Sequence, residues 1–171
     1  MAAQHPATLP IEHLLDECEV RRERRSGPGG QHRNKVETAV VLTHRPTGIV
    51  AEANERRSQV ENKNEAVHRL RIKLAVEVRS NVQPGTGNAA SELWKQRCAG
   101  GRVRVSTTHD DFPALLAEAI DEVAAAEFDV AAAAARLGVT SSQLAGLLRR
   151  EPPAWKLVND GRRALGLRPL H

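Results

Sequence analysis

Five consecutive residues, Gly27-Pro28-Gly29-Gly30-Gln31, are the densest chemical signal in the chain. Three glycines and a proline in four positions suit neither a helix nor a strand interior, so this is an irregular loop. Gly29 and Gly30 carry no side-chain bulk and admit unusual backbone angles, which lets main chain approach a substrate closely. Gln31 cannot act as a general base. His32, beside it, titrates near neutrality and is the base-like group at hand. Arg21, Arg22, Arg24 and Arg25 precede the loop, and Arg33 and Lys35 follow it. Such runs are usually solvated surface, but crowding around a glycine loop favours contact with RNA phosphates. A bare Gly-Gly-Gln specifies little, and a plain turn between a strand and a helix would also account for it.

The context is longer than the tripeptide. The run Arg25 to Lys35 is followed by Ala39-Val40, by His44-Arg45-Pro46-Thr47-Gly48-Ile49, and by Arg56-Arg57-Ser58-Gln59-Val60-Glu61-Asn62-Lys63. In order and spacing these blocks resemble the catalytic domain of class I peptide chain release factors. They also resemble the shorter relatives of that family, the ribosome-rescue peptidyl-tRNA hydrolases. The resemblance spans residues 18–79. It implies hydrolysis of the ester that joins a nascent peptide to the terminal ribose of P-site tRNA, with Gly29, Gly30 and Gln31 as the catalytic residues. On that reading Gln31 helps position the attacking water, and a loop N–H, that of Gln31, stabilises the oxyanion. The tRNA 2′-hydroxyl handles the proton, and His32 is not a base. Arg21, Arg22, Arg24, Arg25, Arg33, Lys35, Arg56, Arg57 and Lys63 are the RNA-binding set. The implied partners are ribosomal RNA and peptidyl-tRNA, with no cofactor and no metal. About twenty residues precede the match, and nothing after it resembles a stop-codon recognition loop. The basic tail of the rescue hydrolases has no counterpart either. The expectation is codon-independent rescue, with the sensing of stalled ribosomes left open.

The elements that must position the loop follow from local pattern. Residues 1–9 read as a flexible arm. Pro10 to Glu17 reads as a short helix and Cys18 to Arg21 as a weakly alternating strand. Asn34 to Glu37 reads as a single helical turn. Ala39 to Thr43 and Ile49 to Ala53 form a hairpin across the Arg45-Pro46-Thr47-Gly48 turn. Ser58 and Glu61 make a capping box for a long helix to about Arg79. Val60, Val67, Leu70, Leu74 and Val78 mark its buried face, while Lys63, Arg69, Arg71 and Lys73 point largely elsewhere. Asn81 to Gly87 is a linker candidate. Ser91 to Cys98 reads as a helix anchored by Trp94, and Gly100 to Ser106 as a glycine-led basic strand or loop. Helices follow over Phe112 to Glu127, Val130 to Leu137 and Ser141 to about Arg150, the last stopped by Pro152-Pro153, and then over Ala154 to Leu165. The expected class is α+β: a small mixed sheet with a hairpin and a long packing helix, then an all-α, helix-turn-helix-like unit. The expected domains are 10–80 (catalytic), 81–110 (linker or extension) and 111–171 (helical).

Composition narrows the classes. The chain has 171 residues with a net charge of +4. Residues 21–79 hold 14 Lys and Arg against 7 Asp and Glu, whereas residues 111–171 hold 7 against 8. The first stretch suits a polyanion and the last does not. The aromatic residues are Trp94, Trp155, Phe112 and Phe128, so binding by base stacking is disfavoured. Cys18 and Cys98 lie far apart, which argues against a disulfide scaffold and for a cytoplasmic protein. No apolar run is long enough for a membrane span. Two other readings compete: a non-catalytic ribosome- or RNA-binding protein, and a DNA-binding regulator built on residues 111–171. Gln31 argues against the first, since a binding module has no need of it. The mostly uncharged helix Ser141 to Arg150 argues against the second. Residues 111–171 are instead expected to dock by shape on the ribosome or on a partner protein.

Overall fold

The structure is a computed structural model that describes residues 4–24, 38–80 and 90–171. Three antiparallel strands, β1 (Cys18–Glu23), β2 (Ala39–His44) and β3 (Val50–Ala53), pair in the order β1-β2-β3. Helix α1 (Ile11–Asp16) leads into β1, and α2 (Gln59–Glu77) lies across the sheet. Then come α3 (Glu92–Arg97), a small ribbon of β4 (Cys98–Ala99) and β5 (Arg102–Val103), and four helices, α4 (Phe112–Ala125), α5 (Val130–Leu137), α6 (Ser141–Arg149) and α7 (Pro152–Ala164). The class is α+β, but both strand pairings are antiparallel, so the sheet is not mixed. Each of its strands follows its neighbour directly in the chain, and no crossover is needed to make a parallel pair.

Local chemistry explains most boundaries. At the β2–β3 turn the N–H groups of Thr47 and Gly48 both donate to the His44 carbonyl, and Gly48 has φ +72°. That left-handed angle is what glycine supplies there. Ser58 accepts the Glu61 N–H at the start of α2. Asp129 accepts the N–H groups of Ala131 and Ala132, and Thr140 accepts that of Gln143. Gly138, with φ +68°, ends α5; its N–H donates to Ala135 and that of Val139 to Ala134, a Schellman motif. Helices α5 and α6 therefore form the expected helix-turn-helix shape. Pro152 and Pro153 open α7 rather than merely closing α6, because the first helical turn needs no N–H from either.

Three further expectations are corrected. Val60 is exposed (68%). The inward stripe of α2 runs through Asn62, Ala66, Leu70 and Leu74, and Val60, two positions from Asn62, points the opposite way. Arg71 is buried, because it shares the second inward row with Val67 and Ala75. Its guanidinium donates to the carbonyls of Ala7 and Asp110, and burial pulls its pKa down. Residues 4–9 are not a free arm: Pro6–Thr8 form a 3₁₀ turn, Ala7 is fully buried, and His5 Nε2 bonds the Val78 carbonyl at 3.1 Å. The expected turn at Asn34 to Glu37 and the linker Asn81 to Gly87 lie outside the described residues.

The core is one cluster. Leu14, Leu42, Leu70 and Leu74 join Trp94, Leu115, Leu116, Ile120, Leu144 and Leu147 without a break. Helix α2 packs on β2 and β3 and also on α4. Trp94 is buried, and its indole N–H donates to the Leu137 carbonyl at 2.9 Å. Among the described residues, no helix is long and apolar enough to cross a membrane.

Candidate functional site

Strand register fixes where the glycine loop belongs. Glu23 pairs with Ala39, so residues 24–38 are the connection of the β1–β2 hairpin at one end of the sheet. Gly29, Gly30, Gln31, His32, Arg25, Arg33 and Lys35 lie within it and outside the described residues. Val40 pairs with Ala53, which brings the chain from Asn54 to Ser58 to the same end. Arg56 and Arg57 are exposed there, and Lys63 is exposed one turn into α2. Arg22 and Arg24 are exposed at the end of β1, and Arg21 stands one rung further back. Four consecutive residues of β1, Glu19 to Arg22, are exposed, so both faces of this edge strand meet solvent there. Arg21 has an ion pair with Glu19 at 3.8 Å, with both side chains more than half exposed. Such a pair adds little stability. Arg22, Arg24, Arg56, Arg57 and Lys63 thus gather around the two described ends of the loop.

The residue that ties this site together was not singled out by the sequence. Asn62 is fully buried (0% exposed). Its Nδ2 donates to the carbonyls of Thr38 at 2.7 Å and Arg56 at 2.9 Å, and its Oδ1 accepts the Arg56 N–H at 2.9 Å. Thr38 is where the loop rejoins the sheet, and Arg56 belongs to the basic turn. One amide therefore fixes the two relative to each other. The available signal was a polar residue on an otherwise apolar i, i+4 stripe. Arg69 braces the same region from α2, donating to the Glu52 carbonyl at 2.9 Å and to Glu55 Oε1 at 2.8 Å. The hydrogen bond from Arg69 holds the Glu55 carboxyl below its ordinary pKa. Among the described residues, no three His, Cys, Asp or Glu side chains stand together as metal ligands.

The described part of the site is thus a three-stranded sheet with exposed arginines at one end and a long helix across it. The chain matches the RF-1 domain over residues 10–109 and belongs to that family. Peptide chain release factor 1 of Ureaplasma parvum serovar 3 is 34% identical over 136 residues, covering 68% of this chain and 38% of the relative. Peptide chain release factor 1 of Acidiphilium cryptum is 35% identical over 136 residues, covering 72% and 37%. The chloroplastic peptide chain release factor PrfB1 of Arabidopsis thaliana is 38% identical over 91 residues, covering 51% and 20%. The chain therefore spans less than two fifths of the length of each of these relatives.

Proposed function

We propose that this chain hydrolyses the ester of peptidyl-tRNA on the ribosome, with Gly29, Gly30 and Gln31 at the reacting atoms. The observation that supports this reading is the Glu23–Ala39 register, which puts exposed Arg22, Arg24, Arg56 and Arg57 at the end of the sheet where the stretch containing Gly29, Gly30 and Gln31 leaves and rejoins it. In the reaction, water attacks the ester carbonyl, the bond to the ribose oxygen breaks, and that oxygen takes a proton. Gln31 orients the water and a loop N–H receives the oxyanion. The tRNA 2′-hydroxyl relays the proton, which accounts for a site without a side-chain base. Arg21, Arg22, Arg24, Arg25, Arg33, Lys35, Arg56, Arg57 and Lys63 hold rRNA and tRNA phosphates.

The finer reading is codon-independent rescue in the cytoplasm, supported by the resemblance of residues 18–79 to the short rescue hydrolases. The experiment is peptide release from purified ribosomes holding peptidyl-tRNA, with and without a stop codon in the A site. Equal release in both is expected. Release only with a stop codon overturns rescue and leaves hydrolysis standing, and no release in either overturns both.

A further inference from the structure

Over residues 90–171 positive and negative charges nearly cancel, which by sequence alone gives this part no attraction for a polyanion. The fold separates the two signs. Asp121 is buried and takes Arg79 at 3.0 Å. Glu122 is buried and faces Arg136 at 3.6 Å. Glu118 accepts the N–H and the hydroxyl of Ser91, and Asp111 takes Arg97 at 2.6 Å. The carboxylates of α4 and its N-terminal cap are thus engaged with neighbouring elements.

The arginines of the β4–β5 ribbon are not. Its turn is Gly100-Gly101, with φ +61° and +72°, the pair of left-handed residues that a two-residue hairpin loop of type I′ requires. A Cβ at either glycine would meet nothing within 4 Å, so the tip stands in open space. Val103 turns inward, which leaves Arg102 and Arg104 exposed on the outer face, about 7 Å apart along the strand. Neither guanidinium has a hydrogen-bond or ion-pair partner among the described residues. Helix α6 is locked to this ribbon. Gln143 Oε1 accepts the Val103 N–H at 3.2 Å, and Arg150 Nη1 donates to the Val105 carbonyl at 2.5 Å. Arg150 is thereby held beside the segment that follows β5 and carries Arg104. Arg149 lies 4.7 Å over the Trp155 ring, which restricts it in advance. Glu151 adjoins Arg150 in sequence but, among the described residues, forms no ion pair with any of these four arginines.

We propose that Arg102, Arg104 and Arg150, bordered by Arg149, form a second phosphate-binding surface that takes the backbone of an RNA helix. Two unpartnered arginines stand on one outer face with backbone positions spaced like successive phosphates, and a side-chain-free tip lets the ribbon approach a nucleic-acid strand closely. Trp155 is occupied by Arg149, so the surface reads phosphates rather than stacked bases. The surface goes beyond the hydrolase reading and does not depend on it.

The test uses the full chain with two probes, purified ribosomes and protein-free ribosomal RNA, and measures affinity against salt. Wild type is compared with the Arg102→Gln/Arg104→Gln double variant. Both positions are exposed, and the melting curve is expected to match wild type. Affinity should fall about tenfold at low salt, and the log–log salt slope should shrink by about 1.4 to 1.8, the value for two lost phosphate contacts. Arg150→Gln should reduce it further. Unchanged affinity and slope on both probes overturn the proposal. So do a loss of affinity without a change of slope, a wild type that binds neither probe, and a double variant that no longer folds. Peptide release by wild type is read in parallel: its absence defeats the hydrolase reading, while a reduced slope leaves the surface standing.

Discussion

Asn62 commits both polar atoms of its side-chain amide to backbone groups in a site closed to water. Asn62→Ala leaves the Thr38 and Arg56 carbonyls and the Arg56 N–H without that partner. A loss of about 1–3 kcal/mol is expected, read as a shift of the urea midpoint. Release at saturating protein should fall beyond the loss of folded molecules, because Thr38 is where the Gly-Gly-Gln segment rejoins β2. A variant with the wild-type midpoint would show these bonds to be unimportant. Gly30→Ala, by contrast, tests the proposed chemistry, in which main chain at Gly30 must approach the ester without side-chain bulk. Release should drop about 100-fold or more with ribosome binding kept, and equal loss of both would mark the loop as structural. His5 supplies a pH test. Its Nδ1 accepts the Ala7 N–H, which leaves Nε2–H to donate to Val78, so the neutral ring is fully bonded. Burial lowers its pKa from 6.5, the Arg79 charge adds to that, and Asp121 and the Val78 bond oppose it. A depressed folded-state pKa means that the unfolded chain binds the proton first. Stability is therefore full above about 6.5 and is lost as pH falls below it. Denaturant midpoints from pH 7.5 to 5 should fall more steeply in wild type than in His5→Gln, and parallel curves would remove His5 from the account.

At the scale of elements, the exposed arginines at the end of β1 and those of the 54–58 turn contact, on the proposed reading, one stretch of RNA backbone. Replacing Arg22, Arg56 and Arg57 with Gln should weaken ribosome binding steeply at low salt and flatten the salt slope by about 2 to 3. A slope equal to wild type would move the interface elsewhere. How much of this was legible depends on the range of the forces involved. Helices α4 to α6 could be read closely because their signals are local: Asp129 and Thr140 cap within three residues, and Gly138 closes α5 on itself. Strand β1 was faint because an edge strand exposed on four successive residues shows no alternation. The burial of Arg71 had no local signature, since its partners Ala7 and Asp110 lie 64 and 39 residues away. The catalytic candidates were legible as a motif, but the Asn62 amide was not, because a single polar residue at the head of an apolar helical stripe looks like the stripe's end rather than a buried anchor.

At the scale of the whole molecule, the sequence suggested two units meeting at a linker, and the packing argues for one. Helix α2 has the sheet on one side and α4 on the other. Arg69 and Lys73 bond to β3 and its exit, whereas Arg71 and Arg79 bond to Asp110 and Asp121. Leu115, Leu116, Ile120 and Val123 are all fully buried in the cluster that also contains Leu70 and Leu74. Residues 10–80 alone would expose this face of α2 and leave Arg71 and Arg79 without those acceptors. We propose that the two parts fold together. Heating should give a single cooperative transition, seen alike by helix signal and by the fluorescence of Trp94 and Trp155 together. Leu116→Ala should cost about 2–5 kcal/mol and shift that transition as a whole. A fragment ending at Ser80 should aggregate or unfold at temperatures where the full chain is native. If that fragment stays soluble with a sharp transition of its own, residues 10–80 fold independently and the contact between α2 and α4 is a docking surface rather than a shared core.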